Sequence, residues 1–239
     1  MKLLSDLHVH SCASADGRST VTALIEAAKA RGLSAITVSD HDQCTALGSD
    51  PGILLIPGVE ITSSNGHILA LFLEKPIDFE ALGPYPAPEK AIAEIHACGA
   101  LAVLAHPFAP AKLTEEEILA LGFDAIETAN ARAMLKKGAN EKARLLAEKA
   151  GLPGTGGSDA HCARELGGCV TEFDCEPKLS AMKDALKAGK CRAEEIRPCK
   201  WVFKGLSKLH REKTCGTFFT RCKAFVYFCA CIARDIFHV

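Results

Sequence analysis

Short apolar segments that resemble buried strands alternate with amphipathic segments over the first 190 residues of the chain. The helical type is clear at 21–31, where apolar residues recur at positions 21, 24, 25 and 28 and Gly32 follows. Patterns of this kind predict strands at 2–9, 34–39, 53–62, 68–73, 100–105, 124–128, 152–158 and 169–173. They predict helices at 21–31, 88–97, 114–121, 140–150 and 177–188.

This alternation restricts the fold class to α/β. Strands that are joined through helices pair mostly in parallel, so we expect a mostly parallel sheet, either open or closed. About seven strand–helix units within 190 residues favour a compact barrel over two domains. We therefore predict one β/α barrel over residues 1–190.

The composition changes at the end of this region. From Lys187 onward the chain has 12 Lys and Arg against 4 Asp and Glu, and eight of its 14 aromatic residues follow Cys199. Residues 191–239 are therefore predicted to form a basic, aromatic and cysteine-rich helical tail. Its longest apolar run, 224–233, is shorter than the roughly 20 residues that span a bilayer.

Three roles are open for this tail. Its apolar run is flanked by Arg221, Lys223 and Arg234, so it can lie on an anionic membrane surface or bind a nucleic-acid backbone. It can also pack on the barrel or on a second subunit. Packing on the barrel or on a second subunit is the favoured alternative. Self-association and peripheral membrane contact are the partner roles that remain open for the tail.

Charge and cysteine content narrow the cellular context. The net charge of −1 gives no long-range attraction for nucleic acid as a whole. The N-terminus has no apolar segment of the kind found in a secretory signal peptide. The 12 cysteines do not form paired CxxC motifs, so we expect reduced thiols and a cytoplasmic protein.

Polar side chains that can bind metals recur where the predicted strands end. His8 and His10 close the first strand, and residues two apart in a strand face the same side. Six of the nine histidines lie at strand ends, which argues against scattered structural histidines. The candidate metal ligands are His8, His10, Asp16, His41, Glu60, His67, His106, Asp159 and His161. Glu127 and Asn130 end the sixth strand and are not among them.

These candidates offer nitrogen and oxygen donors and no cysteine, a set that suits Mn²⁺, Fe²⁺ or Zn²⁺. Nine ligands exceed the needs of one ion and fit two or three, with positions left for water and substrate. In a β/α barrel the active site lies at the carboxyl ends of the strands, where these residues are expected. The alternative is that each is an ordinary loop or core residue.

Five motifs resemble, in order and spacing, those of the PHP (polymerase and histidinol phosphatase) family. They are Asp6-Leu7-His8-Val9-His10-Ser11, Ser39-Asp40-His41-Asp42, Gly58-Val59-Glu60-Ile61, Ala105-His106-Pro107 and Gly157-Ser158-Asp159-Ala160-His161. The resemblance covers roughly residues 1–190. It implies a distorted (β/α)7 barrel, similar to a TIM barrel, with a trinuclear metal centre and phosphoesterase activity.

The resemblance also implies a role for each ligand. One metal would be held by His8, His10, Glu60 and Asp159, and a second by Asp16, His41 and His161. Glu60 would bridge to a third metal, completed by His67 and His106. Asp40 would accept a hydrogen bond that orients a ligand histidine. Glu60, Asp159 and Asp40 are thus the expected catalytic residues.

The branch that the chain resembles most is that of the nucleotide and oligonucleotide phosphoesterases. Like them it has an Asp-Gly pair in the first loop, Asp16-Gly17. It departs from them in one respect, because only 38 residues separate His67 from His106. The helical subdomain that these relatives often insert at this place is therefore absent or vestigial.

The implied reaction is hydrolysis of a phosphate ester by a water molecule whose pKa the metals lower from 15.7 towards about 7. Arg132 and Arg164 are candidates to bind the substrate phosphate in bidentate fashion. Asn130 is a candidate substrate contact and equally a candidate turn or capping residue. We expect a nucleotide phosphatase or a 5′–3′ exonuclease acting on nucleotides or short oligonucleotides. The alternatives are a small-molecule phosphatase of the histidinol phosphatase type and a non-catalytic, metal-binding regulatory module.

Overall fold

The computed structural model of the protein describes residues 2–108 and 113–237. Its strands are β1 (Lys2–Val9), β2 (Ala35–Val38), β3 (Leu54–Ser63), β4 (Gly66–Leu71), β5 (Leu101–Leu104), β6 (Ala125–Asn130), β7 (Gly154–Gly157), β8 (Cys169–Asp174) and β9 (Cys191–Glu195). Its helices are α1 (Val21–Ala30), α2 (Phe79–Leu82), α3 (Pro88–Ala97), α4 (Glu115–Ala120), α5 (Ala139–Ala150), α6 (Leu179–Lys187), α7 (Trp201–Cys215) and α8 (Phe218–Phe237). A 3-10 turn lies at Ala133–Leu135.

All nine strands belong to one sheet with the order β7-β6-β5-β4-β3-β2-β1-β8-β9. The pairs β1–β2, β2–β3, β5–β6 and β6–β7 are parallel, as the alternation of strands and helices predicts. β4 is antiparallel to both of its neighbours, because only Ser64 and Asn65 separate it from β3 and so short a connection reverses the chain. The start of β4 therefore lies at the edge where the parallel strands end.

The sheet curls until its edge strand β7 returns to β1. The backbone amide of His10 donates to the carbonyl of Ala160 over 2.7 Å. The buried carboxylate of Asp6 in β1 accepts hydrogen bonds from the backbone amides of Ser158 and Gly167, each over 2.8 Å. These bonds fasten the two ends of the sheet together, and they confirm the predicted barrel as a nearly closed one.

Glycines in β7 make this close approach possible. A Cβ atom on Gly156 would lie 2.2 Å from the backbone oxygen of Val170, and one on Gly157 would lie 2.4 Å from the Cβ of His8. Both distances are shorter than any ordinary contact between these atoms. A strand without side chains at these positions is therefore required where β7 meets β1 and β8.

Helices cover the outer side of the sheet. Leu24 and Ala28 of α1 are fully buried in one core cluster with Val38 of β2. Farther along the sheet, Ile92 and Ile95 of α3 belong to a second cluster, which includes residues of β3, β4 and β5. The predicted capping box at the start of α4, between Thr114 and Glu117, is confirmed in both of its hydrogen bonds. The apolar periodicity of the sequence thus predicts these layers correctly.

The sheet continues past residue 190. β9 was not predicted from the sequence, because the segment Cys-Arg-Ala-Glu-Glu is polar and has no apolar alternation. As an edge strand β9 pairs with β8 alone, so it needs no apolar pattern on both faces. The division of the chain at residue 190 remains a prediction.

The predicted helical tail consists of α7 and α8, which form an antiparallel hairpin. Asp235 near the end of α8 accepts hydrogen bonds from the backbone amides of Trp201 and Val202 at the start of α7, over 2.9 and 2.8 Å. α8 leaves Phe218, Phe225 and other apolar side chains exposed. Self-association or membrane contact through this face stays a prediction. Among the described residues, no helix is long and apolar enough to cross a bilayer.

Candidate metal centre

The nine candidate ligands converge at the barrel edge where the parallel strands end. Seven of them line a cavity of about 750 Å³, and the other two, His8 and His10, are fully buried beside them. The cluster therefore has a dry side within the barrel and an open side towards the cavity. This is the arrangement that a catalytic metal site needs, because substrate and water must reach the ions.

The carboxylate of Glu60 lies at the centre of the cluster and is 1% exposed. Five imidazole rings face its two oxygens. Oε2 lies 3.4 Å from Nε2 of His8, 3.3 Å from Nε2 of His10 and 3.1 Å from Nδ1 of His41, and Oε1 lies 2.8 Å from Nδ1 of His67 and 3.2 Å from Nε2 of His106. One carboxylate thus connects two sets of histidines through its two oxygens.

His67 reaches this centre only because β4 is reversed. It is the second residue of β4, and a parallel strand would place it at the opposite end of the barrel. The tight connection between β3 and β4 returns the chain within a few residues of Glu60. His67 was predicted as a ligand by resemblance, and the strand direction supplies the physical reason.

Two further carboxylates, those of Asp159 and Asp16, extend the cluster beyond Glu60. Oδ1 of Asp159 lies 3.5 Å from Nε2 of His10 and 3.8 Å from Nε2 of His8. Oδ2 of Asp16 lies 3.2 Å from Nε2 of His161 and 3.7 Å from Nε2 of His41. The sets of ligand atoms close enough to share one ion are His8–His10–Asp159, His10–His41–His161, His41–Glu60–His67 and His8–His106–Glu127.

Two of the ligands have left-handed backbone conformations. The φ angles are 26° for His106 and 54° for Asp159, values that cost energy for residues other than glycine. The backbone amide of His106 is held by the carboxylate of Glu127 over 2.8 Å. Surrounding contacts thus maintain a strained backbone that turns both side chains towards the cluster.

The donor set fits divalent cations. Oδ1 of Asp16 and Nδ1 of His41 are buried and have no hydrogen-bond partner among the described residues; the latter lies 3.1 Å from Glu60 without the geometry of a hydrogen bond. Such unpartnered acceptors are unfavourable in a protein interior unless a ligand satisfies them. A cation that accepts their lone pairs removes this cost.

The charge states of the carboxylates suit the same role. Burial disfavours the ionised form of Glu60, but the neighbouring His67 and His8 outweigh burial and hold its pKa well below the usual range. Asp159 is also ionised, because His8, His10 and further cationic neighbours lower its pKa despite burial. Burial lowers the pKa of His41 to about 4, so this imidazole is neutral and can donate a lone pair to a metal.

Comparison with known proteins agrees with this geometry. The family profile described as "PHP domain" matches residues 6–106, and the profile described as "PHP-associated" matches residues 137–191. The chain belongs to the PHP family. Membership, with the buried histidine and carboxylate cluster, makes it a metal-dependent hydrolase of phosphate esters. A comparison with curated proteins finds no match.

Solved structures share the PHP fold at low sequence identity. PsfC from Pseudomonas syringae PB-5123 is similar with a TM-score of 0.64 and 21% identity, over 89% of this chain and 99% of that one. A protein from Bifidobacterium adolescentis, provisionally described as a metal-dependent phosphoesterase, has a TM-score of 0.53 and 21% identity over 66% and 87% of the two chains. The lesion-specific endonuclease PfuEndoQ from Pyrococcus furiosus has a TM-score of 0.58 and 18% identity over 81% and 58%.

Glu127 lies within the ligand cluster, although no role was predicted for it from the sequence. Its Oε1 lies 3.0 Å from Nδ1 of His8, and its Oε2 accepts hydrogen bonds from the backbone amide of His106 and from Nδ2 of Asn130. It therefore orients one ligand ring and the backbone of another. The available signal was a carboxylate within the buried apolar strand β6, where an unpaired charge is unfavourable.

Asp40 contacts the ligands less directly than expected. Its carboxylate accepts hydrogen bonds from the amide and hydroxyl of Ser11, each over 2.7 Å, and from the hydroxyl of Ser14 over 2.8 Å. Among the described residues it accepts none from a histidine ring. Ser14 accepts a hydrogen bond from the backbone amide of His41 and lies 3.4 Å from Nδ1 of His10. Asp40 thus positions both ligands through Ser14, because the intervening loop separates it from their rings.

The three predicted phosphate contacts have different surroundings. Asn130 is buried, and its Oδ1 accepts a hydrogen bond from the amide of Ala133, so it caps the following 3-10 turn. Its amide group also donates to Glu127 and, over 3.4 Å, to Asp159. It lines the cavity, so its capping and site positions coincide.

Arg132 lines the cavity but is ion-paired. Its Nε and Nη2 atoms lie 3.0 and 2.7 Å from Oε1 of the buried Glu165. Arg164 is exposed and does not line the cavity, so its position does not support the predicted phosphate contact. The loop turns outward after His161, and the carbonyl of Arg164 faces the side chain of Arg31 at the end of α1.

The cavity also contains residues that were not predicted to lie there. Lys204 and Arg211 of α7 line it together with Asp16, His41 and Asp159. Tyr85, which is 68% exposed, lines it as well. The basic composition of the tail was visible in the sequence. Its position beside the metal ligands depends on how the hairpin packs, which composition does not specify.

Proposed function

We propose that this PHP phosphoesterase hydrolyses phosphate esters of nucleotides or short oligonucleotides, as a nucleotide phosphatase or a 5′–3′ exonuclease. The observation that carries the proposal is the contact of the Glu60 carboxylate with five histidines next to an open cavity. A buried carboxylate shared between two sets of imidazoles is suited to bridge two divalent ions. The cavity leaves space for a phosphate group above them.

The ligand assignment is the one that the resemblance to the PHP family implies, and the convergence of the nine side chains supports it. His8, His10, Glu60 and Asp159 would hold one ion, Asp16, His41 and His161 a second, and Glu60 with His67 and His106 a third. Divalent ions in such a centre stabilise the negative charge of the phosphoryl group and lower the pKa of water. Mn²⁺, Fe²⁺ and Zn²⁺ all accept this combination of imidazole and carboxylate donors.

The residues of the chain itself fix the geometry of this centre. Glu127 accepts a hydrogen bond from Nδ1 of His8, which directs Nε2 towards the cluster, where its lone pair would bind an ion. Ser14 and Asp40 hold the backbone of His41 in place. Asn130 donates to the Asp159 carboxylate and limits its rotation. No side-chain nucleophile is needed in this arrangement, because the ester is attacked by water.

Three observations support a nucleotide or oligonucleotide substrate. The first loop carries Asp16-Gly17, and a Cβ on Gly17 would lie 1.8 Å from the carbonyl oxygen of Ser11, so the tight loop that presents Asp16 requires glycine. The exposed ring of Tyr85 at the cavity offers a surface on which a base can stack. One of the structural relatives is an endonuclease.

The test is a substrate screen with one metal at a time. Metal-free protein is reconstituted separately with Mn²⁺, Fe²⁺ or Zn²⁺ and assayed on p-nitrophenyl phosphate, 5′-mononucleotides, 5′-phosphorylated oligonucleotides and histidinol phosphate. Glu60→Gln removes the bridging charge and keeps the shape of the side chain. Glu141→Gln, on the exposed surface of α5, is the matched control. Bound metal is counted by mass spectrometry and folding is followed by circular dichroism.

We expect metal-dependent turnover of nucleotides or oligonucleotides by the wild type and by Glu141→Gln. Glu60→Gln should fold normally, bind less metal and lose turnover. Turnover that survives in Glu60→Gln would refute the bridging role of Glu60. Activity restricted to histidinol phosphate would replace the proposed substrate by a small phosphorylated amino alcohol. Metal binding without turnover of any ester would favour a regulatory module.

A further inference from the structure

The hairpin of α7 and α8 is fastened to the barrel beside the metal centre. Nη2 of Arg132 donates a hydrogen bond to the hydroxyl of Ser207 over 2.8 Å, and both residues are buried. Within the hairpin, a Cβ on Gly205 would lie 3.1 Å from the Cβ of Cys231, so α7 and α8 are in close contact. Neither family profile covers these helices, since the matched residues end at 191. The role of the hairpin therefore has to be argued from its own residues.

One face of α7 is directed towards the site. Lys204, Ser207, Lys208 and Arg211 are spaced three, four and seven residues from the first, which places them on the same side of a helix. Lys204 and Arg211 line the same cavity as the candidate metal ligands. Lys208 joins them in lining an adjoining cavity of about 450 Å³, which shares Asp16 and Arg132 with the first.

The three cations on this face have no carboxylate in direct contact within the part of the chain that the structure describes. None of them forms an ion pair with a carboxylate of the residues that the structure describes. Lys204 and Lys208 instead lie over aromatic rings, with Nζ 5.7 Å from the ring centre of Trp201 and 5.0 Å from that of Tyr227. Glu212 also lines the adjoining cavity, so the cavity walls contributed by α7 carry three positive charges and one negative charge.

Cations that are not held in direct ion pairs next to a cleft attract anions, and they do so most strongly where the walls exclude water. The scissile phosphate of the substrate would bind at the metal centre, in contact with the ions. The cations of α7 line the cavity wall and its adjoining extension, where they would meet a further anionic group of the same substrate. A single-stranded nucleic acid carries such groups at regular intervals along its backbone.

We propose that α7 forms the binding wall for the phosphates that neighbour the scissile one, through Lys204, Lys208 and Arg211, and that this wall selects single-stranded oligonucleotides over mononucleotides. The inference rests on the proposed phosphoesterase function and specifies its substrate. Tyr85, at the same cavity, completes the wall with a ring on which a base can stack. The barrel then supplies the chemistry and the C-terminal hairpin supplies the specificity.

The experiment compares two variants of the full-length protein. Lys204→Ala/Arg211→Ala removes two cations from the cavity face of α7. Lys213→Ala removes a cation from the same helix, nine residues after Lys204 and on the opposite side, where it lines neither cavity. Turnover is measured on p-nitrophenyl phosphate, which has one phosphate, and on a 5′-phosphorylated tetranucleotide. Binding of a fluorescent single-stranded oligonucleotide to metal-free protein is measured separately over a range of salt concentrations.

For the double variant we expect kcat/KM on the tetranucleotide to fall by about tenfold for each cation removed, mainly through KM. The loss on p-nitrophenyl phosphate should be at least tenfold smaller. The dependence of log Kd on log salt should become shallower by about 0.7 for each lost phosphate contact. Lys213→Ala should match the wild type in all three measurements.

An equal loss on both substrates would refute the proposal, because it would mean that α7 only supports the barrel. Unchanged oligonucleotide binding and turnover in the double variant would refute it as well. If the wild type hydrolyses no phosphate ester with any metal, the proposed function fails, and the binding measurement still decides about α7. If the double variant then lost oligonucleotide binding and Lys213→Ala did not, α7 would be supported as a binding surface for nucleic acid, although the phosphoesterase function had failed.

Discussion

Arg132 joins the barrel to the C-terminal hairpin through a single hydrogen bond of 2.8 Å from its Nη2 atom to the hydroxyl of Ser207. The same guanidinium is paired with Oε1 of Glu165. The other oxygen of Glu165 accepts a hydrogen bond from the backbone amide of the candidate ligand His161 over 3.0 Å. The position of α7 and the position of a metal ligand therefore depend on the same buried ion pair. This connection gives the basic helix a fixed place beside the metal centre.

Removing either partner of this connection should have unequal effects. Arg132→Ala leaves the buried carboxylate of Glu165 without its cation, which should lower the free energy of unfolding by about 3–5 kcal/mol. Ser207→Ala removes one hydrogen bond and should cost about 1 kcal/mol. Arg144→Ala, which breaks an exposed ion pair with Glu141, should cause no measurable change. Urea unfolding of the three variants measures the difference, and equal stabilities of the first two would contradict this expectation.

Glu127 should control metal affinity without binding the ion in the proposed assignment. Glu127→Gln keeps a hydrogen-bond acceptor near His8 but removes the charge that polarises this ring. We expect the affinity for Mn²⁺ to fall by about 10–100-fold, the range found for residues that support metal ligands. Titration of metal-free protein against a competing chelator measures this, with Glu141→Gln as the control. An affinity equal to that of the wild type would show that His8 does not need this partner.

Gly157 should be required for closure of the barrel. In Gly157→Ala the new methyl group would lie 2.4 Å from the Cβ of His8 and 2.8 Å from its amide nitrogen, so β7 or β1 has to shift. We expect a loss of about 1–3 kcal/mol in the free energy of unfolding, the usual cost of overpacking. Gly48→Ala is the control, because a Cβ at this position would have no atom within 4 Å and the φ of Gly48 is not left-handed. A wild-type unfolding midpoint for Gly157→Ala would mean that the two strands separate easily.

Metal affinity should rise with pH through the titration of His10. Burial alone would lower the pKa of His10, but the adjacent carboxylates of Asp159 and Glu60 outweigh it and raise the pKa to about 9. The metal-free protein thus carries a proton on His10 at neutral pH, and an ion must displace it to bind. As the pH falls below 9, the affinity should therefore fall by at least about tenfold per pH unit, because the proton on His10 and that on His8, whose pKa is also raised, both have to be displaced.

Calorimetry in buffers of different ionisation enthalpy measures the number of protons that Mn²⁺ displaces. We expect release of more than one proton at neutral pH, from His10 and from His8, whose pKa the carboxylates of Glu127, Glu60 and Asp159 also hold well above the usual value despite burial. His41 should contribute none, because its pKa of about 4 leaves it already neutral. Mn²⁺ binding without proton release, and with an affinity independent of pH, would show that His10 does not become a ligand.

Local patterns in the sequence predicted much of this protein. The sequence patterns located β1 to β8 and five of the helices around the barrel to within a few residues, but not the short helix α2. His8 and His10, two apart at the end of β1, predicted a pair of rings on one face, and their Nε2 atoms lie 3.1 Å apart. These predictions succeeded because backbone periodicity and side-chain chemistry are properties of short segments.

Other features could not be predicted from such segments. The apolar pattern made β4 one more strand of a mostly parallel sheet, although its reversal decides where His67 lies. Arg132 and Arg164 were alike predicted to bind the substrate, whereas a buried partner holds the first and the second lies outside the cavity. The tail kept three alternative roles, because a basic amphipathic helix is compatible with all of them.

The sequence by itself determined which residues can bind metal and phosphate, since that capacity belongs to the side chains and to their spacing along a strand. The tertiary structure alone decided which of them meet. The fold brings Glu60 among five histidines from four different strands or strand ends, and it places Lys204 and Arg211 beside them. Such meetings depend on contacts between segments distant in sequence, where strand direction, glycine at the barrel closure and the packing of α7 set the distances.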